Sequence, residues 1–219
     1  MAALGTWALA VGLLGAVFSS AALFLGVPAR FLVWGTVGHI SLLVISAALG
    51  LRTRLGFEAA VPLAVSLVLG NGLAWLGWRR LRGAAKSADL GPARGQARRI
   101  PAAGAAFVAG ALASAGMPLS PGFFGRVLLF LAAAKVGGAA GWLAIAVCGL
   151  QSLAWILCCA TAMRVFFLDQ AAARPVRQPG AASRWLWWAL AGLSLLAGLL
   201  PGPLAAIGTK IANLANVAR

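Results

Sequence analysis

Runs of apolar residues, each long enough to cross a bilayer as a helix, recur at 4–27, 31–51, 58–78, 138–163 and 185–207, and a longer apolar stretch fills 102–136. A helix rising ~1.5 Å per residue needs about twenty such residues to cross a hydrocarbon core of ~30 Å. Lipid offers no partner to backbone N–H and C=O groups, so a lipid-facing segment must satisfy its own backbone, which a helix does. The chain therefore reads as an all-α integral membrane protein of about six transmembrane helices, with 1–219 as a single membrane domain. Composition agrees, with 62% hydrophobic and 10% charged residues against roughly a quarter charged in a soluble domain.

The charged residues are one-sided: 18 Lys and Arg against 3 Asp and Glu, a formal charge of +15. In a soluble protein this excess would point to nucleic acid. Here the basic residues lie between apolar runs, where they mark the cytoplasmic side of a membrane protein, and no nucleic-acid partner is expected. The longest polar stretch, 79–99, is too short for a separate domain. Cys148, Cys158 and Cys159 share one apolar run without metal-ligand spacing and read as packing residues. The first basic residue is Arg30, so the positive start of a cleaved signal peptide is missing and the N-terminal segment is expected to be retained. No phosphate-binding glycine loop and no nucleophile with an adjacent base is present in the sequence. We expect no catalytic residue, metal or cofactor.

The stretch 102–136 is interrupted by Met117-Pro118-Leu119-Ser120-Pro121-Gly122. The prolines remove backbone donors and disfavour helix in the residue before each of them. Either two short helices meet at a surface turn, or one span is broken inside the membrane. The distribution of basic residues favours the second reading. With Arg126 set aside, a single broken span collects 12 of the remaining 17 Lys and Arg on one face, against 11 for two helices. Loops 79–99 and 164–184 are then cytoplasmic, and the helix break at Pro118, Pro121 and Gly122 lies at membrane depth. Arg126 follows one turn later. A guanidinium there costs at least ~2.5–3.5 kcal/mol, so it should be turned toward protein or water and is a functional candidate.

The region from Phe107 to Phe130, with Leu112, Ser114, Gly116, Pro118 and Gly122-Phe123-Phe124-Gly125-Arg126, resembles the SLAG-P-P-GF-GK segment of the antiporter-like membrane subunits of respiratory complex I, subunit N in particular. Other pieces follow in the same order. The segment Arg30 to His39 is similar to KRLLAYSSISH, Asn71 to Trp75 to MNLGAF, Ala97 to Pro101 to the RRMP loop, and 199–204 to the last helix of the family. The resemblance implies a discontinuous helix and sets Arg126 where relatives carry a Lys assigned to a proton path. Those subunits are built of two inverted halves, of which this chain resembles the second. It also lacks tyrosine altogether, unlike the family's next helix.

Lys gives up a proton readily once desolvated, whereas Arg stays charged. Arg126 is therefore expected to be a fixed charge or a clamp on backbone carbonyls rather than a proton-cycling group. His39, the sole histidine, is the candidate titrating group near neutral pH, or else a buried structural histidine. Lys135 should end the second half-helix, reaching the interface or serving as a proton exit. Glu58 either pairs with Arg54 or Arg52 or belongs to the path, and Asn71, with Ser66, Ser114, Ser120, Gln151 and Ser152, lines a polar axis or joins helices. By resemblance the chain is a membrane subunit of a complex I-like or antiporter-type complex in a bacterial-type inner membrane. It would take part in, or structurally complete, a proton or Na+ path, with other membrane subunits and the lipid bilayer as partners, one subunit supplying the other half of the fold. The alternatives are a non-conducting scaffold and a stand-alone homodimeric carrier.

Overall fold

The computed structural model describes residues 2–24, 30–85, 94–167 and 180–217. Its elements are α1 (Ala2–Phe24), α2 (Phe31–Gly50), α3 (Arg54–Val65), a π-helical segment (Ser66–Asn71), α4 (Gly72–Ala85), the single turn α5 (Gln96–Arg99), α6 (Pro101–Ala115), α7 (Pro121–Val136), α8 (Gly138–Phe167), α9 (Ala181–Leu199) and α10 (Pro201–Val217). Among the described residues every regular element is a helix. Residues 25–27 of the expected first span, and residues 86–93 and 168–179 of the two basic loops, lie outside them.

Local chemistry accounts for the boundaries. Thr53 caps α3 by accepting a hydrogen bond from the Leu55 amide at 3.2 Å, and Ser120 caps α7 by accepting from Phe123 at 3.3 Å, with Pro121 at the first helical position. Gly116 ends α6 at φ +79°, a left-handed conformation that suits glycine. The turn into α8 uses Gly137 and Gly138, at φ +64° and +60°.

The π segment joins α3 and α4 into a rod of 30 residues, Arg54–Gly83. Along it run α6 and α7, in the opposite direction. A methyl group on Gly77 would sit 2.5 Å from the Phe107 amide nitrogen, one on Gly110 2.5 Å from the Gly70 carbonyl, and one on Gly125 3.0 Å from the Leu63 nitrogen. As residue numbers rise through α6 and α7, their neighbours on the rod fall from 77 to 63. The two helices thus continue one another along a single partner and do not fold back as a hairpin.

Two expectations need correction. Among the described residues four helices are long and apolar enough to cross a membrane, and α9 with α10, bent by 72°, makes a fifth if taken as one span. The expected six spans become about five by length and composition, because 102–136 is divided into α6 of 15 and α7 of 16 residues, each short for a span. The expected span 185–207 is also broken. Leu200 precedes Pro201, whose ring disfavours α conformation in the residue before it, and Leu200 adopts φ −116°, ψ 68°.

The interior is layered. One apolar cluster includes Leu23, Leu32, Leu73 and Ala154, and encloses ring contacts among Phe31, Trp78, Phe107 and Phe166 at centroid distances of 4.8 to 6.1 Å. The other includes Ala16, Leu42, Leu63, Leu129 and Cys148. Between the two, each long helix carries polar residues: Ser19 and Ser20 on α1, Thr36 and His39 on α2, Ser66 and Asn71 on the π segment, Gln151 and Ser152 on α8. The α6–α7 break opens at this level.

Candidate functional site

A helix that ends inside protein leaves its last carbonyls without intrahelical donors, and each needs another partner. At the end of α6 they find one in turn. The Ala111 carbonyl accepts from Trp155 Nε1 at 3.2 Å. Leu112 accepts from the Met117 amide at 3.1 Å, and Ala113 from the Gly116 amide and from the hydroxyls of Ser66 and Ser120, all at 3.2 Å. Ser114 accepts from Arg126 Nη2 at 2.6 Å.

Arg126 thus reaches back from the first turns of α7 to the end of α6. Its Nε donates to Ser152 Oγ at 3.0 Å, and its Nη1 to the Gly122 carbonyl at 3.4 Å. The side chain is buried, with the residue 6% exposed. Glu58 is the acid present among the described residues, and it is engaged elsewhere, so the cation is met by the negative end of the α6 dipole and by hydroxyl and carbonyl dipoles. Gly116 makes room for the guanidinium: a methyl group there would lie 2.5 Å from Nη1.

Other polar groups gather around this contact. The hydroxyls of Ser19 and Ser20 meet Gln151 Oε1 at 2.8 and 2.6 Å, beside Ser152. Asn71 Nδ2 donates to Thr36 Oγ1 at 2.7 Å, and Trp75 Nε1 to the same oxygen at 3.1 Å. His39, one turn beyond Thr36 on α2, is buried and within electrostatic range of Arg126. Three buried polar atoms of this layer, His39 Nε2, Asn71 Oδ1 and Ser114 Oγ, have no hydrogen-bond partner. A π segment on the facing rod adds backbone that departs from the α ladder, a feature frequent at functional sites.

Of the sequence candidates, Arg126, His39 and Asn71 converge in this layer, with the break residues Pro118, Pro121 and Gly122 at its edge. Lys135 and Glu58 do not. Lys135 is exposed at the end of α7, and Glu58 bonds Arg54 Nε and Thr209 Oγ1, both at 2.9 Å. Sequence reasoning missed Ser19, Ser20 and Thr36. The readable signal was a small polar residue inside an otherwise apolar run. On α9, Trp187 is 6% exposed and belongs to the aromatic cluster, whereas Trp185 and Trp188 are exposed.

Residues 3–151 match the protein family described as NADH:quinone oxidoreductase/Mrp antiporter, TM. In structure, the chain is similar to a chain of respiratory complex I from Thermus thermophilus with bound NADH, at 26% identity and TM-score 0.77, covering 96% of this chain and 45% of that one. It has the fold of a chain of the archaeal membrane-bound sulfane sulfur reductase, at 20% identity and TM-score 0.83 over 96% of this chain and 42% of that one. The same holds for the Mrp complex of a Dietzia species, at 22% identity and TM-score 0.72 over 98% and 46%. Among curated proteins it is 32% identical over 133 residues to the threonine efflux protein of Salmonella typhi, a match spanning 60% of this chain and 59% of that protein. The chain thus spans less than half of the solved chains it resembles. The family match includes the break, Arg126, His39 and Asn71, and on it the chain belongs to the NADH:quinone oxidoreductase/Mrp antiporter transmembrane family.

Proposed function

We propose that this chain is a membrane subunit of a multi-subunit complex of the complex I or Mrp antiporter type, and that its mid-depth polar layer contributes to a transmembrane proton or Na+ path. One observation carries the reading: a buried arginine joins the two halves of a discontinuous helix, and three unpartnered polar atoms lie around it. Arg126 serves as the fixed charge that sets the local field and holds the break in register, since an arginine does not release its proton. His39 relays a proton as a neutral imidazole, one ring nitrogen donating and the other accepting. Asn71 and Ser114 relay by hydrogen bonding. Loops 79–99 and 164–184 face the cytoplasm of a bacterial-type inner membrane, a side supported by their basic residues. Other membrane subunits cover the exposed apolar helices, one of them supplying the other half of the fold.

A scaffold reading is favoured by the way Arg126 is consumed in holding α6, and a stand-alone carrier by the likeness to the threonine efflux protein. The test is purification from native membranes, identification of the accompanying subunits, and proton and Na+ flux in vesicles. His39→Ala should abolish most flux per assembled complex while leaving assembly intact, and Arg126→Lys should retain both. Reduced assembly with unchanged flux per complex would establish the scaffold. Threonine transport by the chain alone would overturn both.

A further inference from the structure

At the far end of α7 from the break, the turn between α2 and α3 and the last residues of α7 enclose an open cleft of about 560 Å³, lined by Arg52, Thr53, Arg54, Lys135 and Val136. Three cations border it and, among the described residues, no carboxylate does. Arg52 Nη2 donates to Thr6 Oγ1 at 3.0 Å, and Arg54 uses only its Nε on Glu58, at 2.9 Å. Most donors of both guanidiniums, and the whole Lys135 ammonium, remain for another ligand. The depth is that of a lipid headgroup: Lys135 follows Arg126 by nine residues, so at ~1.5 Å each it stands roughly half a hydrocarbon thickness from the mid-depth layer. Below it, Val127 and Leu131 occupy the same helix stripe at successive turns and are 38% and 51% exposed. A charged cleft continued by an apolar stripe matches a molecule with an anionic head and an acyl tail.

We propose that this cleft binds the phosphate of an anionic phospholipid, held by Arg52, Arg54 and Lys135, with an acyl chain laid along Val127 and Leu131. Arginine recognises phosphate through its planar fork and lysine as a point charge. The test is native mass spectrometry of the full chain, delipidated and then titrated with phosphatidylglycerol or phosphatidylcholine, with inorganic phosphate as a third arm. Phosphatidylglycerol should be retained selectively. In Arg52→Gln/Lys135→Gln, which spares the Arg54–Glu58 pair, its affinity should fall roughly thirtyfold, about 2 kcal/mol at ~1.4 kcal/mol per tenfold. Arg164→Gln, on α8 and away from the cleft, should leave it unchanged, and a thermal melt of each variant separates lost binding from lost folding. Equal retention of the two lipids, unchanged affinity in the double variant, or inorganic phosphate binding as tightly as phosphatidylglycerol would each overturn the proposal.

Discussion

Two helix pairs of this protein, α6–α7 and α9–α10, are interrupted at proline, and the two breaks treat different backbone groups. Between α6 and α7, Met117, Pro118 and Leu119 are exposed, but the inner side of the break is filled. Ser120 and Arg126 are 5% and 6% exposed, and side chains from the π segment, from α7 and from α8 donate to the carbonyls that α6 leaves open. Between α9 and α10 only Leu200 lies outside a helix, it is 60% exposed, and the bend is 72°. There Pro201 and Pro203 stand among the first three residues of α10. A proline has no N–H, so two donors that would be orphaned at a helix start facing lipid do not exist. The prolines at the start of α10 thus remove backbone donors that would need acceptors, whereas the carbonyls at the end of α6 are supplied with side-chain donors. Only the α6–α7 break therefore collects a buried polar site, and the two breaks are in contact, since a methyl group on Gly198 of α9 would collide with the Leu119 carbonyl.

The contrast can be broken most directly at Arg126. Arg126→Met leaves the Ser114 carbonyl and the Ser152 hydroxyl without their donor, at about 1–3 kcal/mol per unsatisfied group. We expect a fall of several degrees in the melting temperature in detergent, with Arg126→Lys recovering part of it. An unchanged melt would mean that the break does not depend on its clamp. Gly116→Ala comes next. It forces a side chain onto a residue at φ +79° and against Nη1, for about 1–3 kcal/mol, readable as a shifted midpoint in chemical unfolding. Ser120→Ala removes the α7 cap and should cost about 1 kcal/mol. Faster hydrogen exchange of the Phe123 amide is the matching local signature. Smallest is Gly202→Ala in the second break, where a methyl group meets nothing within 4 Å. Its effect should stay within about 0.5 kcal/mol. Similar losses from Gly116→Ala and Gly202→Ala in the same assay would erase the distinction between the breaks.

The sequence by itself determined the solvent of this protein and most of its helices. Apolar runs of spanning length, prolines 118 and 121, and the basic stretches at 79–99 and 164–184 are local signals, and the discontinuity beside Arg126 followed from them. The bend at Leu200 was readable in principle from Pro201-Gly202-Pro203, but the apolar run continues through it to Ile207 and concealed the break. Only the tertiary structure decided which polar residues meet. A helix that is apolar all round has no amphipathic face to show which side turns inward. Nothing within α1 says that Ser19 and Ser20 will find Gln151, or within α2 that His39 will come within range of Arg126. Lys135 and Glu58 look equally functional as isolated charges, yet they lie at the end of the bundle. What separates them from Arg126 is helix-to-helix register, set by the close approach of Gly77, Gly110 and Gly125 to the neighbouring helix. Contacts between helices far apart in the chain fix that register, and no single apolar run encodes it.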